Sequence, residues 1–395
     1  MSTLRPGITL QHTREKAADD TLVRSDITGV IGVIPKARWP PGARTGDFIE
    51  VPLTNTQDLV ESPMRDLFDP VSLQAVDKFF RNGGAKCHLF GLCIKSPKQL
   101  ISRDPFRALF FSLMDRLRGQ EDLGLLIMPV LAYLPTRVEP DGTVVVAAEA
   151  TLELLLDHCR EMNNRFVIID APKDLHEHEL LSWVKDFRKR YAEQACYGAV
   201  YYPWLMNGDN TFPPSGAVAG VYARVEREAA PFGVRNPPAN EVVRAVTHPS
   251  VPLRWTETEN FLGAHINLLI TSPARGVLVW GARTLSSKPQ WRHINSRRIV
   301  SLLAEQLRRD NEWVIFENQR PQLWDIVRRT VSGRLAQAWS AGLLTGDRAG
   351  SDYLVQCDKE LNTPEIVDAG QVHVRVQVRP ITTTEYVVVD LRLGD

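Results

Sequence analysis

No two of the five cysteines, Cys87, Cys93, Cys159, Cys196 and Cys357, stand at C-x-x-C spacing, and their number is odd. That excludes a zinc ribbon and a fully paired disulfide framework, and it leaves the thiols as small buried hydrophobes of a reducing compartment. No apolar run reaches the ~18 residues of a membrane span. The opening MSTLRPGITLQHTREKAADD lacks the apolar stretch of a secretory signal. A protein made in the cytoplasm, without stable membrane insertion, is expected. Net charge is missing too: 47 Lys and Arg balance 47 Asp and Glu. No overall field draws in nucleic acid, and no nucleic-acid partner is expected.

The motifs of catalysis are also absent. The chain contains no G-x-x-x-x-G-K-[ST], no G-x-S-x-G and no G-x-G-x-x-G after a strand. Asp170 ends the apolar strand RFVIIDAP where a Walker-B acid would stand, but nothing is present to hold a triphosphate; capping of the following helix or turn is the expected role. HEHEL brings His176, Glu177 and His178 together, yet a zincin needs its second His four residues on, and leucines flank that place. A solvated helix start is expected. Ser286 and Ser287 have no His or acid partner in a recognisable arrangement. Trp280, Trp291 and Trp313 beside arginines read as core and interface anchors. The expectation is therefore no catalytic residue, no metal and no cofactor; an α/β enzyme using Asp170 and His176 is the reading these residues disfavour.

What the chain does have is order. At 395 residues it suits two domains, or one domain with a large insertion. Residues 1–24 are polar apart from a short strand-like piece, Ile8, Thr9, Leu10 and Gln11, which cannot bury itself alone. DITGVIGVIPKA is a β-rich run. VSLQAVDKFFRNGGAKCHLFGLCI reads as helix, glycine stop and strand. LGLLIMPVLAYL is a buried strand, AAEATLELLLDHCREMN a helix, RFVIIDAP a strand, HEHELLSWVKDFRKRYAEQA a helix and YGAVYYPWL a strand. This alternation predicts a largely parallel sheet covered by helices. SGAVAGVYARVERE carries Gly216 and Gly220 at a spacing that lets another backbone approach closely. VLVWGA is a strand, and Ser286 or Ser287 caps a helix running through Ile294, Arg298, Leu302 and Leu303. EWVIFE reads as a strand. A long helix from Pro321 places Leu323, Ile326, Val327, Val331, Leu335 and Trp339 on one stripe. QVHVRVQV then alternates strictly, and EYVVVDLRL follows with Val387, Val389, Leu391 and Leu393 on one face.

Four of these stretches carry a resemblance. PPSGAVAGVYARVEREAAPFGVRNPPANEVVRAV, GVLVWGARTLSSKPQWRHINSRRIV, EWVIFENQRPQLWDIVRRTV and RPITTTEYVVVDLRL resemble, in order and spacing, the contractile tail sheath family: myophage tail sheaths, R-type pyocin sheaths and extracellular contractile injection systems. AVDKFFRNGGAKCHLFGL resembles the family's helix-plus-strand with an N-G-G turn. The likeness runs from about Val71 to the C-terminus; Ser96 to Arg165 carries no matching pattern. It implies a mixed α/β (α+β) two-domain sheath subunit: an N-terminal arm at 1–24, an outer α/β domain at 25–275, an inner core domain at 276–379 and a C-terminal arm strand at 380–395. It also implies the partners, namely copies of itself in stacked six-fold rings, an inner tube protein, and baseplate and terminator or cap proteins.

Three expectations follow. Strand 277–282 and the helix begun at Ser286-Ser287 belong to the inner core. Strand Glu385–Leu393 is exchanged with a neighbouring subunit, its link from Pro380 disfavouring a ladder with Val372–Val378; a local hairpin is the alternative. Arg328, Arg329 and Arg334 on the long helix face the inner tube. A minor sheath paralogue that anchors or ends the array is an alternative to the major subunit.

Overall fold

The computed structural model describes residues 23–101, 103–230, 233–253, 255–317, 321–345, 353–381 and 387–393. The predicted N-terminal strand Ile8–Leu10 lies outside these residues. In chain order the elements are β1 (Thr28–Pro35), β2 (Phe48–Leu53), α1 (Thr56–Glu61), α2 (Pro70–Arg81), β3 (Cys87–Ile94), α3 (Arg103–Arg118), β4 (Leu125–Ile127), β5 (Thr136–Val138), β6 (Val144–Val146), α4 (Glu149–Met162), β7 (Phe166–Asp170), α5 (Glu177–Arg190), β8 (Gly198–Tyr202), β9 (Leu205–Asn207), β10 (Asn210–Phe212), α6 (Ser215–Glu228), β11 (Glu241–Val242), β12 (His248–Pro249), α7 (Trp255–Gly263), β13 (Ile266–Ser272), β14 (Gly276–Trp280), α8 (Ile294–Asp310), α9 (Pro321–Ser340), β15 (Tyr353–Gln356), α10 (Pro364–Asp368), β16 (Val372–Val378) and β17 (Val387–Leu393).

Nine strands form the main sheet in the order β11-β14-β13-β8-β7-β4-β1-β3-β2. The six from β13 to β3 run parallel, and antiparallel strands close both edges. Because both faces are covered, every residue of β3, β7 and β8 is buried, and these strands are apolar apart from His88 and Asp170. Alternate side chains serve different cores. Val30, Leu89, Phe166 and Ile168 pack under α2 and α6, while Ile31, Phe90, Val167 and Ile169 pack under α3, α4 and α5.

Local signals explain the helices that line this sheet. Asp69 caps α2 by accepting from Ser72 N–H, with Pro70 in the first turn. Gly83, at φ 104°, reverses the chain after it. The spacing of Gly216 and Gly220 is used as expected: a Cβ on either would lie 2.4 Å from Ala75 O or 2.3 Å from Phe79 O, so the α6 and α2 backbones are in direct contact.

A second, smaller unit follows. The strands β15-β16-β17 make an antiparallel sheet. Its buried face, Val372, Val374, Val376 and Val378 with Leu391 and Leu393, packs on Ile299, Leu303 and Leu307 of α8 and Leu323, Val327, Val331 and Leu335 of α9.

Five expectations change. Strand β14 does not open the inner unit; it pairs with β13 and β11 in the nine-stranded sheet, and Val277 and Val279 belong to that sheet's core. Ser286 does not cap α8. Its hydroxyl accepts from Lys288 N–H ahead of a short 3-10 turn, Pro289–Trp291, and α8 begins at Ile294. Glu312–Phe316 is also a 3-10 turn: Val314 is buried, and Trp313 is exposed with its indole N–H donating to Asp310 O. Strand β4 stops at Ile127 because Pro129 starts another such turn. On α9, Ile326 falls just off the apolar stripe and is 43% exposed.

Candidate assembly surface

The alternation in QVHVRVQV places four valines inward and leaves His373, Arg375 and Gln377 half-buried on the outer face. The strand thus has one face committed to α8 and α9 and both hydrogen-bonding edges filled, by β15 and β17. Strand β17 pairs over its whole length, from Val372↔Leu393 to Val378↔Val387. Arg375 Nε meets Asp390 Oδ1 at 2.7 Å across this ladder, on the exposed side. The ladder that the link from Pro380 was expected to disfavour is therefore formed within the single chain. Leu391 and Leu393 bury themselves on the chain's own β16, because their row matches the valine row in register. Pro380 does not prevent this. It lies beyond the ladder, bridged to Leu344, and Ile381 N–H donates to Leu343 O at 3.0 Å. Glu385 lies outside the described residues.

The other end of the chain enters between the two units. Val23 packs in the small unit's core and Ile27 in the large one's. Val23 N–H donates to Gln306 Oε1 at 2.9 Å, and Ser25 N–H and Oγ–H donate to Glu226 Oε1 at 3.1 and 2.5 Å. Arg298 Nη2 reaches Glu226 Oε2 at 2.6 Å and Ser25 O at 2.9 Å. Nothing in the sequence marked this cluster. Its members bond across as many as 283 residues, and each alone is an ordinary helix or loop residue.

The three arginines of α9 separate. Arg328 and Arg329 are exposed; Arg328 pairs with Asp325 at 2.7 Å on the same helix, and Arg329 Nε donates to Asp325 O. Arg334 does not face outward. It is buried, with Nε and Nη2 on the two oxygens of Asp310 at 2.6 and 3.0 Å, and it ties α9 to the end of α8. A helix period alone cannot tell an arginine on the polar arc from one that finds a carboxylate behind it.

The residues screened for chemistry have structural partners. Asp170 accepts from Ser215 N–H at 2.6 Å and so caps α6, a helix 45 positions on and not the next one. Burial pushes its carboxyl up to about 7, against that hydrogen bond. His176 is exposed at the start of α5, its N–H on Glu179 Oε2 at 2.8 Å. The buried His158 ring lies 2.6 Å from Arg165 Nη1, and burial next to that cation drops it to about 3. All five thiols are buried, with Cys159 raised to about 12 by burial. Among the described residues, no three or more His, Cys, Asp or Glu gather closely enough to hold a metal ion. Among the same residues, no helix is long and apolar enough to cross a membrane.

A doubly covered α/β sheet, a small appended sheet unit with its terminal strand on the edge, and a buried polar grip on the incoming chain define a structural building block. The comparisons give its family. The model of the phage tail sheath protein central domain matches residues 134–285, and that of the phage tail sheath C-terminal domain matches 286–393. The chain belongs to the phage tail sheath family. The first of these matches takes in 134–165, where the sequence alone carried no matching pattern, and their junction falls after β14. A prophage major tail sheath protein of Pseudomonas aeruginosa (strain UCBPP-PA14) is 20% identical over 245 residues, 60% of this chain and 60% of that protein. The fold is that of contractile sheath subunits. A chain of the PVC extracellular contractile injection system sheath in its contracted state superposes with TM-score 0.70 at 23% identity, covering 99% of this chain and 98% of its own. A chain of the six-fold-symmetrised anti-feeding prophage baseplate does so with TM-score 0.69 at 21% identity, covering 99% of both.

Proposed function

We propose that this chain is the structural subunit of a contractile sheath, polymerising helically in stacked six-fold rings around an inner tube and contracting to drive that tube through a target membrane, without catalysis or a cofactor. The observation that carries the reading is the family match over 134–393. Likeness to a contracted sheath over nearly the whole chain supports it. The subunit divides after β14 into an outer α/β unit and an inner unit, with residues 1–24 and β17 as arms to neighbours. Arg328 and Arg329 remain the tube-facing candidates, being charged, exposed and repeated once per subunit, so that weak pairs with tube carboxylates add up. Negative-stain microscopy of the chain expressed alone should show rods or tubes; discrete monomers at high concentration would overturn the proposal.

Strand exchange has its own test. The β16–β17 register seen within one chain is the one a neighbour's strand would use. With Arg375→Cys and Asp390→Cys, oxidised monomer should carry an intrachain bridge, whereas oxidised rods should give a covalent ladder on a non-reducing gel. Rods that run as single chains would exclude exchange. A second reading is favoured by the likeness to a baseplate chain: a minor sheath paralogue at the base of the array. Counting copies per particle separates the two, hundreds for a main subunit or one ring for a paralogue.

A further inference from the structure

Between Val23 and Ile27 the backbone passes from one hydrophobic core to another, and at that crossing it is held by polar groups alone. Ser25 offers its N–H and hydroxyl to one oxygen of Glu226, on α6 of the large unit. Its carbonyl accepts from Arg298, on α8 of the small unit, and Arg298 binds the other Glu226 oxygen. The Arg298 and Glu226 side chains are 6% and 13% exposed. The guanidinium also lies 5.2 Å from the centre of the Tyr222 ring, which fixes its plane. Space for the segment is reserved as well: a Cβ on Gly124 would sit 2.0 Å from Ser25 O. A buried ion pair closed through a third segment is geometrically demanding, because each lone pair and proton must find its partner in the dry interior.

We infer that Ser25, Glu226 and Arg298 form the anchor of the N-terminal arm, delivering a pull on residues 1–22 to both units of the subunit at once. Without the cluster, Val23 and Gln306 on the small unit would be, among the described residues, the arm's only side-chain hold ahead of Ile27 and β1, and tension would act across the small unit's contact with the large sheet. With it, the two units move together. The three are positioning residues, and the inference rests on the reading that the arm reaches a neighbouring subunit.

The test compares full-length variants by rod length in negative stain and by amide exchange at residues 23–26 relative to β1. Glu226→Gln is near-isosteric and breaks the ion pair. Ser25→Ala removes only the hydroxyl, and it carries the comparison should Glu226→Gln fail to fold. Phe187→Leu, in the far core under α5, is the control for general destabilisation. Ile8→Pro with Leu10→Pro blocks strand addition by the arm itself. The expected result is rods about tenfold shorter for the anchor and arm variants, with exchange at 23–26 about tenfold faster in the anchor variants and β1 protection unchanged. Normal rods from both anchor variants while the proline variant fails would overturn the anchor and leave the arm reading standing. Normal rods from the proline variant would overturn the arm reading and the anchor with it. Equal shortening by Phe187→Leu would also overturn it, since stability alone would then account for the loss.

Discussion

Arg334→Met should cost the small unit about 3–5 kcal/mol, the usual toll of leaving one half of a buried ion pair behind. The geometry sets this range. Both Asp310 oxygens are engaged by one guanidinium, and the two side chains are 9% and 5% exposed, so water cannot replace it. Gln306 Nε2, 2.8 Å from Oδ1, would remain the carboxylate's neutral donor. Asp310 is also the last residue of α8, where the helix dipole disfavours a negative charge by about 0.3–1 kcal/mol. Arg328→Met should cost no more than about 1 kcal/mol, because its partner Asp325 is exposed. Replacing the whole buried pair, Arg334→Met with Asp310→Leu, should recover most of the loss. Urea unfolding followed by Trp324 and Trp339 fluorescence reads all three variants, midpoints being compared at a common slope. Equal losses for Arg334→Met and Arg328→Met would refute the argument. They would mean that Arg334 leaves its pocket without penalty and is available on the surface after all.

Three further outcomes are expected. Gly216→Ala or Gly220→Ala should destabilise the large unit by about 1–3 kcal/mol or more, since the new methyl meets α2 backbone; thermal unfolding checks it, and a neutral result would mean that the helices slide apart freely. Asp170 has a folded-state pKa of about 7 against an ordinary 3.8, so its contribution is intact below about pH 4 and is lost as pH rises to about 7. His158, lowered to about 3, slopes the other way between about pH 3 and 6.5, and the decisive quantity is therefore the difference between wild type and Asp170→Asn, which should grow in favour of the variant from pH 4 to 7. Leu391→Ala should cost about 2–5 kcal/mol of small-unit stability in the monomer, measured by urea midpoint.

Much of the fold was legible because its period was clean. Fully apolar RFVIIDAP and YGAVYYPWL could only be covered strands, and strict alternation in QVHVRVQV gave its buried row residue by residue. Short apolar runs were not legible: EWVIFE satisfies a strand pattern but is held as a turn by Asn311, which ends α8 and bonds Val314. The side-chain pattern of β14 suits either unit, because only pairing partners say which sheet a strand joins. Site residues were harder still. The place of Asp170 at a strand end points to a cap, but the helix it caps is one that tertiary folding brings to it. Arg334 and the Ser25–Glu226–Arg298 cluster depend on partners far away in sequence, and a hydrogen bond of that kind leaves no local trace.

The pairing of β17 with its own β16 has a kinetic meaning. Only eight residues, 379–386, join the two strands, and they can span at most about 26–29 Å. A strand on so short a tether is present at its acceptor at an effective concentration in the millimolar range. A strand arriving from another molecule in micromolar solution therefore faces a competitor roughly a thousandfold more abundant, occupying the same register. Free subunits in dilute solution are accordingly slow to accept one another's strands. A foreign strand wins more readily where another structure already holds it beside the edge, so growth on an existing ring is faster than the first pairing in solution, and rods of the chain alone call for high concentration.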